Sequence, residues 1–138
     1  MKYTPLLALL LALFVSACGD DPADPAPTNQ DGVVQTDQGH YALTILEPTG
    51  DPSVGELSLR FELADADGAA VIGATIVAEE SMPSMGHGGG GTPSVSEVGD
   101  GVYDVDGVVF SMAGFWEVTL DISSDGVSDT ITLQYDVE

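Results

Sequence analysis

The chain is poor in the groups on which small exported proteins and catalysts commonly rely. It has one cysteine, one tryptophan, two histidines and two basic side chains in 138 residues. A single cysteine permits no internal disulfide, so packing alone must hold the fold. Lys2 and Arg60 stand against 23 acidic residues. A surface of that sign repels nucleic acid and anionic lipid headgroups, which excludes both as surface partners. There is no Gly-x-Ser-x-Gly elbow, and no Lys-Ser/Thr pair follows the glycine run. Neither a hydrolase nucleophile nor a phosphate loop is therefore available, and no enzyme activity or small-molecule substrate is expected. No helical apolar period is sustained anywhere.

The longest apolar run, Leu6 to Val15, is too short to span a bilayer as a helix. It follows Lys2 and ends in Val15-Ser16-Ala17-Cys18, which resembles a bacterial lipoprotein signal. On that reading residues 1–17 are a signal peptide, and Cys18 becomes the lipidated N-terminus. Acyl chains on Cys18 then hold the protein to a membrane of the cell envelope, on the periplasmic side or at the outer membrane. The alternative is an ordinary secretory signal that leaves an incidental thiol. Cleavage removes Lys2 and leaves one basic residue against 23 acidic ones, a net charge of about −22. Residues 18–39 are rich in Asp, Pro and Gly, hold little that could fill a core, and read as a flexible tether.

From His40 onward the pattern turns to period two. Leu57–Leu63, Trp116–Ile122 and Ile131–Val137 alternate apolar and polar residues without a break. Such segments are half-buried antiparallel strands with one wet face. Weaker strands are expected at 41–47, 74–79, 93–98 and 102–109. Turn signals separate them at 47–52, 65–68, 99–101 and 124–126. Seven short strands in about 100 residues predict one all-β domain over 40–138, an immunoglobulin-like antiparallel sandwich with Trp116 as a core anchor. Asp65-x-Asp67-Gly68 and Asp104-x-Asp106-Gly107 echo calcium loops but lack the remaining ligands, and read as acidic turns.

One segment does not look like scaffold. Met82-Pro-Ser-Met85-Gly-His87 gathers two methionines and a histidine, just ahead of Gly88–Gly91. Thioether sulfur is a soft, uncharged donor and imidazole suits copper. Such a set favours Cu(I) over the hard cations Ca²⁺ and Mg²⁺. The glycine run would give the loop freedom to close round an ion or a partner. A mobile strand connection with gap-filling methionines is the plainer reading of the same residues.

Taken together, Gly73-Ala74-x-Ile76, Met82-Pro-x-Met85-x-His87, Gly101-x-Tyr103 and Phe110-x-Met112-x-Gly114-x-Trp116 resemble the YtkA-like/FixH-related domain family over most of residues 40–138. That resemblance implies a small exported or membrane-anchored β-sandwich concerned with copper handling and assembly of respiratory oxidases. It places Met82, Met85 and His87 in the family's Met/His segment and matches Met112 to the methionine before its Gly-x-Trp. A Cu(I) site of three or four ligands would follow, with copper passed to an acceptor protein. Met112 is equally readable as a core plug, and His40 as a surface residue at the domain start. The transmembrane helix of FixH-type members is missing here. A metal-free interaction or display module on a tether is the competing function.

Overall fold

A computed structural model describes residues 32–138. The expected signal peptide, Cys18 and most of the expected tether lie outside the described residues. Among the described residues all regular structure is β. The strands are β1 (Val33–Gln35), β2 (Tyr41–Glu47), β3 (Gly55–Asp65), β4 (Thr75–Ser81), β5 (Ser94–Gly99), β6 (Val102–Phe110), β7 (Gly114–Ser124) and β8 (Val127–Val137). They form a five-stranded sheet, β1-β2-β3-β6-β5, and a three-stranded sheet, β4-β7-β8, with every pairing antiparallel. The expected sandwich is therefore present, with eight strands in place of seven.

The alternation explains the packing. In β3, Leu57, Leu59, Phe61 and Leu63 are buried, while Glu56, Ser58 and Glu62 face outward. In β7, Trp116, Val118, Leu120 and Ile122 point the other way, toward the first sheet. The inward sets of both sheets form one apolar cluster. Two ring groups pack within it: Phe61 stacks on Tyr103 at 5.8 Å, and toward one end Phe110 lies 5.3 Å from Trp116 and 5.7 Å from Tyr135. Such ring pairs contribute about 0.5–1.5 kcal/mol each beyond area burial.

Two expectations need correction. Residues 33–39, read as tether, form β1 and a turn, with Val33–Gln35 paired to Ala42–Thr44. Asp104-x-Asp106, read as an acidic turn, lies within β6, where Asp104 receives Arg60 Nε at 2.5 Å and Nη2 at 2.7 Å. Arg60 holds the Asp104 carboxyl below the usual carboxylate range, through its hydrogen bond and its charge. The 65–68 segment is a turn as expected, closed by Asp65 Oδ1 accepting the N–H groups of Asp67 and Ala69 at 2.9 Å each.

The early strand is held by a partner 93 residues away in sequence. Thr36 Oγ1 donates to Asp129 Oδ2 at 2.6 Å. Backbone N–H groups of Gln38 and His40 reach the same carboxylate at 3.1 Å. Asp129 occupies the inward phase of β8, two places before Ile131, and both it and Thr36 are buried. Burial alone would raise the Asp129 carboxyl. The hydrogen bond from Thr36, then the N–H groups of His40, Thr130 and Gln38, outweigh it and bring the group down to about 2.

A depressed folded-state value stabilises the fold above the ordinary aspartate range, and that contribution is lost as pH falls through about 2. In a urea-unfolding series from pH 6 to pH 2, the native midpoint should therefore fall most steeply below pH 4. Asp129→Asn should begin from a lower midpoint and lose less across the same window. Parallel curves for the two proteins would show that the carboxylate does not anchor β1.

Candidate metal-binding rim

Strand register decides which residues meet at one end of the sandwich. β3 begins at Gly55 opposite Phe110, where β6 ends. Ser111, Met112 and Ala113 turn the chain into β7, whose Gly114 pairs with Val137. β4 ends at Ser81 opposite Glu117 of β7. The Met82–His87 segment and the Met112 turn therefore leave the same end of the three-stranded sheet. His40, beside the Tyr41–Asp65 pair, lies at the other end of β3. At about 3.3 Å per residue, that eleven-residue strand separates His40 from the rim by roughly 30 Å. His40 is thus a surface residue remote from the candidate donors.

Met82 departs from the ligand expectation. It is 6% exposed and belongs to the core cluster. Its methyl group occupies the space a side chain on Gly114 would need, since an added Cβ there would stand 2.4 Å from Met82 Cε. The thioether therefore plugs the end of the core. Its backbone shapes the rim: the Met82 carbonyl accepts the N–H groups of Met85 at 3.0 Å and Gly86 at 2.9 Å, and Met82 N donates to the His87 carbonyl at 2.9 Å. Gly86, with φ of 68°, supplies the left-handed step that closes this turn.

The other three predicted donors face solvent. Met85 is 57% exposed, Met112 is 39% exposed, and His87 is exposed. Met112 is fixed through its main chain, because its carbonyl accepts the indole Nε1 of buried Trp116 at 2.9 Å. The His87 ring is fixed through Nδ1, which lies 2.8 Å from the Gly88 carbonyl. A carbonyl only accepts, so Nδ1 carries the proton, and in the neutral ring Nε2 keeps its lone pair for another partner. Among the described residues, no three His, Cys, Asp or Glu side chains form a group able to hold a metal ion.

The glycine run serves close approach as well as turning. A Cβ on Gly89 would fall 1.5 Å from the Val109 carbonyl oxygen and 3.4 Å from the Trp116 ring. One on Gly91 would fall 2.2 Å from the Gly107 carbonyl oxygen. The segment is thus laid against β6 as it crosses from one sheet to the other, in place of the free loop expected from four glycines. One contributor escaped the sequence reading. Glu80 Oε1 accepts the Gly91 N–H at 3.0 Å. Its signal was the strand phase, since Ile76 and Ala78 face the core and Glu80 holds the next inward position.

A model of a protein family described as YtkA-like matches residues 35–121. That span is well over half the chain and contains Met82, Met85, His87 and Met112. No curated protein matches the chain. Among solved structures, one titled ZirS C-terminal Domain is similar at 10% identity, covering 94% of this chain and 86% of its own, with a TM-score of 0.42. A superposition that loose carries no argument.

Thermal or urea unfolding should separate the methionines. Met82→Ala leaves a cavity at the end of the core and should cost about 2–5 kcal/mol, whereas Met82→Leu should cost less than about 1.5 kcal/mol. Met85→Ala and Met112→Ala should each stay within about 0.5 kcal/mol. Equal losses at Met82 and Met85 would contradict these placements.

Gly89→Ala should cost about 1–3 kcal/mol or more, because its new methyl collides with a strand backbone that cannot retreat. Gly50→Ala, with open space around it, should be near neutral. A Gly89→Ala protein as stable as the native one would show that the run is free of β6.

Proposed function

The chain belongs to the YtkA-like family, and from that premise we propose that it is a lipid-anchored domain of the cell envelope that carries Cu(I). Copper is its cargo, taken up by Met85, His87 and Met112 and released to an acceptor protein. The observation that carries this reading is the His87 ring. Its Nδ1 is committed to the Gly88 carbonyl at 2.8 Å, which leaves Nε2 unspent on an exposed ring, at the end of the sandwich from which two exposed methionines also leave. Histidine ligands of metals characteristically spend the second ring nitrogen in this way, since it fixes both tautomer and orientation.

The donor set suits a monovalent soft ion. Two thioethers and a neutral imidazole add no charge, bind Cu(I) well, and offer little to Ca²⁺ or Mg²⁺. Exposure favours exchange: an acceptor can add its own ligand before the rim lets go, so copper moves by ligand substitution with no covalent or redox step in the carrier. The acidic surface would steer a basic acceptor at low salt. Acylation at Cys18 would keep the domain at the membrane, and no catalytic step is involved. Met82, sealed beneath Gly114, is outside the donor set and serves as its floor. That same burial favours the second reading, a metal-free interaction module whose methionines are partly core filler.

Both readings meet in one titration. The full chain carrying Cys18→Ser, so that no thiol competes, is titrated with Cu(I) against a chromophoric chelator under anaerobic conditions. Replacing Met85, His87 and Met112 together by Ala should weaken uptake by more than about tenfold, on the scale expected when a metal site loses its anchors. Equal and weak uptake by both proteins would remove the copper function and leave the interaction module.

A further inference from the structure

Glu80 reaches the base of the rim from the end of β4, and its position follows from the β4 pattern. Ile76 and Ala78 pack toward the core, and Glu80 continues their phase at the strand end nearest the Met82–His87 turn. β4 is the edge of its sheet, so a side chain there looks into the seam between the sheets. The seam is crossed at that point by Gly88–Gly91. Glu80 Oε1 accepts the Gly91 N–H at 3.0 Å. The same residue borders the other end of the run: a Cβ on Gly88 would stand 2.9 Å from the Glu80 carbonyl oxygen and 3.7 Å from Oε1.

Gly88 is also the residue whose carbonyl holds His87 Nδ1. A run of glycines has the largest conformational freedom any segment can have, so its path and the aim of that carbonyl must be set by contacts. Packing of Gly89 and Gly91 against β6 supplies part of this constraint. The Glu80 carboxylate is the side chain that ties the run back to β4.

We infer that Glu80 is the positioning residue of the rim: its carboxylate pins the glycine run at Gly91, holds Gly88 beside it, and so orients the His87 ring for its ligand. The inference rests on the proposed copper function for its consequence, whereas the ordering of the turn can be read without metal. Glutamine at this position keeps an oxygen acceptor for Gly91 and removes the charge. Alanine removes both.

The test uses the full chain carrying Cys18→Ser, with Glu80→Gln and Glu80→Ala variants whose folding is checked by Trp116 fluorescence. In metal-free protein, Glu80→Ala should speed amide exchange at Gly91 by more than about tenfold and shift the His87 ring ¹⁵N signals toward a mixture of tautomers. Glu80→Gln should keep both close to native. In the Cu(I) competition, Glu80→Ala should bind about 10–100-fold more weakly, the range expected when an outer partner of a ligand is lost. Glu80→Gln should stay within about threefold of native. Native exchange and native ring signals in Glu80→Ala would overturn the inference, and so would unchanged copper affinity in that variant. A native chain that takes up no copper would sink the copper function alone, and the two metal-free readouts would still decide whether Glu80 orders the turn.

Discussion

Carboxylates in this protein must be satisfied almost without cations. Among the described residues Arg60 is the one basic side chain besides the histidines, and Asp104 takes both ends of its guanidinium fork. Any other acid drawn toward the interior has uncharged donors to turn to, chiefly hydroxyls and backbone N–H groups. Burying a carboxylate without such partners is costly, so buried Asp129 fixes a turn around itself, and the half-buried acids Asp65, Glu97 and Glu80 accept backbone N–H groups in the same way. Asp129 gathers Thr36, Gln38 and His40, Asp65 gathers Asp67 and Ala69, and Glu97 accepts from Gly73 at 2.8 Å and Gly101 at 3.3 Å. Glu80 and Gly91 repeat the device at the rim. Without a disulfide, these carboxylate-held turns join strands that the core alone would leave free at their ends.

Much of this fold was legible because its strands are half-buried. Where one face is wet and the other dry, period-two alternation is forced, and β3, β7 and β8 carry it without interruption. β1 was not legible. Three residues, Val33 to Gln35, cannot display a period; they pair with β2, and the turn that follows them is held through Thr36 by Asp129 far along the chain. The preceding Asp/Pro composition spoke for a tether, and a local signal of that strength outweighs any single distant partner until coordinates supply it. Residues 104–106 failed for a related reason. Asp-x-Asp-Gly is turn chemistry in isolation, yet pairing with β3 on one side and β5 on the other holds it extended, with a register shift between Leu57 and Leu59 across from Gly107.

The candidate donors divide along the same line between local and tertiary information. Met85 and His87 sit in a six-residue turn whose chemistry is readable in sequence, and both are exposed. Met82 opens that turn, and nothing in its neighbours marks it as different. Its burial depends on the missing side chain of Gly114, thirty-two positions later. Met112 had two equal readings, and its 39% exposure together with the Trp116 indole on its carbonyl places the thioether outside the core while its backbone is bound to it. The four glycines misled by composition. Glycine permits mobility and also permits contact closer than any Cβ would allow, and only the position of Val109 and Gly107 reveals that the second property is in use here.

If the rim carries copper as proposed, the way it is held bears on the ion's affinity. Thioethers on freely moving loops would each lose rotamer and backbone freedom on meeting a metal, and that loss would subtract from affinity. Here the Met82–His87 turn is closed by three backbone hydrogen bonds, Met112 is tied to a buried indole, and the His87 ring is set by Gly88. What remains free is the methionine side chains themselves, which are unbranched and adaptable. On the proposed function, a pre-set imidazole and adaptable sulfurs at one end of the sandwich would hold a soft ion without enclosing it. An open grip of this kind leaves a face through which a second protein's ligand can enter, as transfer between carriers requires. On the copper function proposed above, the burial of Met82 would also bear on release. A fourth, inward donor would complete the coordination shell and slow release, whereas a buried methionine under Gly114 supports the rim from below and would leave a bound ion at the surface.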